Sequence, residues 1–202
     1  LGAYVSQAAI HRAGRPTHPD LYSNEIPVAL AALGARYSRF SGGGYRAFVA
    51  WTSAALDRGF PVLAGVKLLP TQHPEWGLDH FVLVVGEGEP GLLVDTTWGT
   101  RIWSNEESRR GISFIHAGYG LRLEGLAGAV LPARVVVLQE DDARVTLRVV
   151  CVGTGTTVER RAGPFDLEAV EIVEATQQKL EVRRDEAAYF RCAAAVRSDR
   201  SR

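Results

Sequence analysis

The sequence predicts an α+β fold. Helical periodicity is confined to roughly the first 60 residues, hairpin-linked strands follow it, and the last third repeats short alternating strands. Helices followed by antiparallel strands argue against a doubly wound parallel sheet, in which the two alternate along the chain.

From Leu1 to Ala13 the apolar residues Leu1, Tyr4, Val5, Ala8, Ala9 and Ile10 recur at helical spacing, and Gly14 and Pro16 end the pattern. Residues 24–33 read as a second, short helix, with Asn24 as its N-cap and Gly34 at its end. The SGGG stretch at 41–44 is a turn. It precedes neither a Lys-Ser pair nor a strand-turn-helix unit, so it carries no phosphate-binding signature. Tyr45 to Leu56 is the clearest amphipathic helix, with Tyr45, Phe48, Val49, Thr52, Ala55 and Leu56 on one stripe and Gly59 closing it.

Residues 60–68 and 81–86 are apolar and β-rich. A GEGEPG turn separates the second run from LLVDTTW at 92–98, which makes an antiparallel hairpin. Residues 101–120 read as irregular connection, with SFIHAGYGLRL supplying one further short strand. After Pro132 six short strands follow, at 135–139, 144–152, 156–161, 170–175, 179–184 and 189–196. The expected organisation is therefore a mixed domain over 1–132 and a small β-sheet or β-sandwich module over 133–202, ending in a polar tail at 198–202.

Composition narrows the function classes. Lys+Arg and Asp+Glu both total 23, and this zero balance argues against a nucleic-acid partner, which needs a basic surplus or stripe. No apolar run approaches the roughly 20 residues of a membrane-spanning helix. His11, His18 and His116 lack metal-ligand spacing, and neither HExxH nor CxxC occurs, so no metal or other cofactor is expected. Cys151 and Cys192 are the only cysteines. They fit a disulfide in an exported protein or two buried thiols in a cytosolic one. An immunoglobulin-like pairing lacks the tryptophan expected between them.

The residues with chemical promise lie on the hairpin. Asp79-His80 opens one strand and Asp95 stands on the next. With the turn centred between Gly88 and Glu89, His80 lies opposite Thr97 and Val82 opposite Asp95. His80 and Asp95 then share a face as diagonal neighbours roughly 7–8 Å apart at the backbone. A register slip of one residue would place them on opposite faces. A carboxylate that holds one imidazole nitrogen leaves the other free as general base or acid. Asp79 reads as a turn or solvent residue. His73 sits in a nearby loop, and Trp76, Trp98 and Trp103 flank the same strand ends, as core packing or as walls of a cleft.

Over about residues 1–100, LGAYVSQAAI, LDRGFPVLAGVKL, LDHFVLVVG and LLVDTTWG resemble, in that order, the papain-like cysteine peptidases of the bacteriocin-processing, peptidase C39-like type. The resemblance implies a papain-like fold, with helices packed on an antiparallel sheet. It implies His80 as general base and Asp95 as its orienter. It also implies a nucleophilic Cys immediately before Leu1, at the start of the first helix, and an oxyanion-hole Gln a few residues earlier. The chain contains no methionine, so Leu1 is not expected to be a translational start. The implied activity is hydrolysis of a peptide or related amide bond, with a peptide or protein as substrate; acyl transfer to an amine uses the same groups. The alternative is a catalytically inactive C39-like domain that binds or regulates a partner.

Overall fold

A computed structural model describes residues 3–127, 133–151, 156–161, 163, 170–173 and 177–194. The expected helix-rich papain-like α+β architecture is not what these residues form. The chain is mostly β, with three antiparallel sheets and only three helices among the described residues. In chain order the elements are β1 (Ala3–Val5), α1 (Gln7–Gly14), α2 (Ile26–Ala32), β2 (Ala35–Arg39), α3 (Tyr45–Leu56), β3 (Val62–Leu68), β4 (His80–Gly88), β5 (Gly91–Asp95), β6 (Arg101–Ser104), β7 (Ile112–Ser113), β8 (Gly120–Leu126), β9 (Arg134–Glu140), β10 (Arg144–Val150), β11 (Thr156–Arg161), β12 (Val170–Val173), β13 (Gln177–Arg183) and β14 (Ala187–Ala194).

Two compact units divide the chain. The first joins residues 1–36 to residues 125–202. Its discontinuity has a visible cause in β1, which pairs antiparallel with β14, Tyr4 opposite Ala188. The single helix expected from Leu1 is therefore corrected: residues 3–5 are a strand, and α1 begins only after Ser6. The Ser6 hydroxyl caps α1 by accepting the Ala9 N–H at 3.0 Å. The N-terminus of the first helix, where the resemblance expected the nucleophile, is thus at Ser6–Gln7 and not at Leu1. Two sheets, ordered β1-β14-β11-β12 and β13-β10-β9, enclose the core of this unit around Val145, Leu147, Val149, Val158 and Phe190. Cys151 and Cys192 form a disulfide inside that core. The expected boundary after residue 132 falls at 128–132, outside the described residues, as do 162, 164–169, 174–176 and the polar tail.

The second unit, residues 37–124, holds the candidate site. Its sheet runs β2-β8-β3-β4-β5-β6, with β7 on the end of β3. Helix α3 forms over the residues its stripe predicts and covers one sheet face. Phe48 and Ala55 pack there on Val62, Val66, Val82, Val84, Leu92 and Val94. Burying such side chains is worth about 1.5–3 kcal/mol each. The stretch expected to be irregular, 101–120, contains β6 and β7, and β2 has no counterpart in the sequence reading. None of the three helices is long and apolar enough to cross a membrane.

Candidate functional site

The geometry of the site is decided by one extra residue in β4. From the Glu89-Pro90 turn, Gly88 pairs with Gly91, Glu87 with Leu92 and Gly86 with Leu93. Past Val85 the register steps, and Val84 pairs with Val94 and Leu83 with Asp95. A bulge reverses which side chains face which way. On the turn side of it, Ser53 of α3 donates a hydrogen bond to Glu87; beyond it, Val84 and Val82 take over the α3 face. Without the step, Asp95 would stand opposite Val84, on the face that carries His80. With it, Asp95 stands opposite Leu83, on the other face. The structure therefore does not bring His80 and Asp95 together, and the expected register, with Val82 opposite Asp95, is corrected.

Each of the two finds other company. Asp95 accepts from Arg101 Nε at 2.5 Å and Nη2 at 3.0 Å, across the β5–β6 pair in which the two residues are opposed. This fork holds the Asp95 carboxyl below its usual range, the hydrogen bonds contributing most. His80 opens β4 opposite Val66, on the α3 face. Its Nε2 lies 3.1 Å from Thr97 Oγ1, and its ring stacks on Trp98 at 4.9 Å between centroids and 11° between planes. Thr97 and Trp98 sit in a turn closed by the Thr96 N–H on the Thr100 carbonyl at 2.9 Å. The Thr96 and Thr100 hydroxyls lie 2.7 Å apart across the same turn.

Burial pushes the His80 imidazole below its ordinary value, and the neighbouring Asp79 carboxylate pulls weakly the other way. Burial thus favours the neutral ring. Trp98 leaves 61% of its surface exposed outside the stack. No family model, curated protein or solved structure matches this chain.

Two partnerships differ from the sequence expectation, in which Thr97 stood opposite His80 but had no role. Thr97 occupies the place next to the imidazole that Asp95 was expected to fill. Asp79, expected to face solvent, accepts from Lys67 Nζ at 2.8 Å and from the Leu68 N–H at 2.8 Å. A signal for the second was present in the sequence: Lys67 is one of only two lysines, and it stands in an otherwise apolar run. Of the flanking residues, His73 stacks on Trp76 at 3.9 Å, and Trp76 and Trp103 are exposed. Among the described residues no group of three or more His, Cys, Asp or Glu side chains could hold a metal ion. The two cysteines are joined to each other, so neither offers a thiolate.

Proposed function

We propose that His80 is the general base of a thiol-dependent hydrolase of peptide or related amide bonds, with Thr97 in the orienting place first expected of Asp95. The observation that carries this reading is the one-sided hold on the imidazole. Nε2 meets the Thr97 hydroxyl, while Nδ1 has no partner among the described residues. With Nε2 donating to Thr97, the Nδ1 lone pair is free to take a proton from a thiol and later to return it to the leaving amine. Burial that favours the neutral ring suits that role, and the Trp98 stack restrains its orientation. Resemblance to the C39-like peptidases supports the same assignment for His80. Cys151 and Cys192 are joined to each other and do not supply the thiol, so the nucleophilic Cys expected just before Leu1 is part of the proposal.

The test uses the full-length gene product. It is treated with a thiol-directed peptidyl electrophile and assayed on a mixture of fluorogenic peptides, as wild type and as His80→Ala. Labelling and turnover that fall by roughly 100-fold or more in the variant support the proposal. Equal behaviour of the two proteins, or no activity in either, rejects it.

A second reading is a non-catalytic binding module. It is favoured by Asp95, which is committed to Arg101 instead of to the imidazole, and by the three exposed indoles Trp76, Trp98 and Trp103 around the strand ends.

A further inference from the structure

We propose that the Lys67–Asp79 ion pair is a clasp that positions the His80 imidazole; as a role in catalysis this rests on the reading of His80 as the proton-transfer group. Lys67 is 1% exposed, at the end of β3. A lysine ammonium so deeply placed requires a charged partner, since an unpaired charge there would cost several kcal/mol. Asp79 supplies it through Oδ2 at 2.8 Å. The same carboxylate takes the Leu68 N–H on Oδ1, and the Asp79 N–H donates to the Val66 carbonyl at 3.1 Å. Three bonds thus tie Asp79 to three consecutive residues of β3. The Trp76 ring lies against the clasp, its centroid 5.2 Å from Lys67 Nζ.

His80 is the next residue after Asp79, and its opposite number on β3 is Val66, the residue whose carbonyl the clasp engages. The backbone from which the imidazole projects is therefore fixed on both sides of the strand pair. Buried ion pairs are weak evidence for stability, because apolar residues of similar volume often serve as well. A role in placing a neighbour accounts for this one more directly. The groups set against His80 are Val66 on β3, Thr97 and Trp98 on the turn after β5, and the flanking Asp79; the Asp95–Arg101 pair occupies the opposite face. The negative charge of Asp79 also favours the imidazolium, against the effect of burial.

The test is nitrogen-detected NMR of the His80 ring in the full chain, in wild type, in Asp79→Asn and in the apolar double variant Lys67→Met with Asp79→Leu. Asp79→Asn removes the charge and leaves Lys67 without its counter-ion, so the His80 titration midpoint should move to lower pH and the ring shifts should report a loosened hold on Thr97. The double variant should fold, by circular dichroism, but shift both ring nitrogens away from the wild-type pattern. Peptide turnover by that variant should fall on the order of 10- to 100-fold in kcat with little change in KM, as expected for a base displaced by a fraction of an ångström to 1 Å. Ring shifts and midpoint equal to wild type in both variants would overturn the clasp. If the double variant does not fold, the Asp79→Asn ring shifts decide alone, and shifts equal to wild type reject the proposal. Wild-type protein without His80-dependent turnover would reject the hydrolase reading, while the NMR result would still report whether the clasp places the ring.

Discussion

His80 Nε2 and Thr97 Oγ1 lie 3.1 Å apart, so the hydrogen-bond neighbour of the imidazole is a hydroxyl and not the Asp95 carboxylate. The difference has chemical weight. A carboxylate would stabilise the imidazolium and raise its pKa, whereas a hydroxyl fixes the ring without charge. With burial acting in the opposite sense, His80 is a weaker base than in a charged dyad, and its neutral form is favoured.

The two candidate orienters are separated by substitution. Thr97→Val removes the hydrogen bond at nearly constant volume and should lower kcat of the full-length protein roughly 10-fold or more. Asp95→Asn should change it about twofold at most, because that carboxylate serves Arg101. Thr97 is exposed, and Asp95 is half-buried in a surface ion pair, so stability should move by no more than about 1 kcal/mol in either variant. A larger kinetic loss from Asp95→Asn than from Thr97→Val would assign the orienting role to Asp95 after all.

The pH dependence follows from the direction of the His80 shift. Its folded pKa lies below the ordinary 6.5. Between the two values the unfolded chain binds more protons than the folded one, so stability rises with pH through that window. The contribution is fully present above the unfolded pKa and is lost as pH falls through the folded one. Urea midpoints measured from pH 7.5 down to pH 4.5 should decline less steeply in His80→Gln than in wild type. The acid limb of kcat/KM should show a midpoint below 6.5.

How much of this was legible in the sequence varies with the range of the cause. Helix α3 was readable because its stripe from Tyr45 to Leu56 is a local pattern, and the β4–β5 hairpin because apolar runs flank a Gly/Pro turn. The partner of Asp95 was not readable, because face assignment hangs on a single residue, Val85, that no alternation rule marks as the bulge. Residues 3–5 carry helical spacing but become β1, since pairing with β14 across more than 180 positions outweighs a local preference. Strands β6 and β7 are too short to leave a period.

The Cys151–Cys192 disulfide closes a loop of 41 residues within one β-rich unit. By loop-closure entropy such a link stabilises by about 4 kcal/mol. Reduction, or the double variant Cys151→Ala with Cys192→Ala, should therefore lower the melting temperature by several degrees or more. The described contacts of His80 and Thr97 lie in the other unit, so His80-ring NMR should be unchanged while strands β9, β10, β13 and β14 lose dispersion. Thiol labelling of the unreduced, denatured protein, resolved by residue, should find neither Cys151 nor Cys192 free. Two free thiols would mean that the pair is a buried dithiol.

The seat of α3 on the sheet depends on a missing side chain. A Cβ at Gly120 would lie 2.7 Å from the Phe48 ring and 3.1 Å from that of Trp51. Phe48 is fully buried, and its ring also meets Phe40 edge-on at 5.3 Å, so it has little room to give way. Gly120→Ala should therefore destabilise the protein by about 1–3 kcal/mol through overpacking. Phe48→Leu alone should also be costly, through lost volume. In combination the two should cost less than the sum of the singles, because the smaller side chain vacates the space that the new methyl needs. Strict additivity in urea denaturation would mean that the Gly120 position is set by backbone demands and not by the approach of α3.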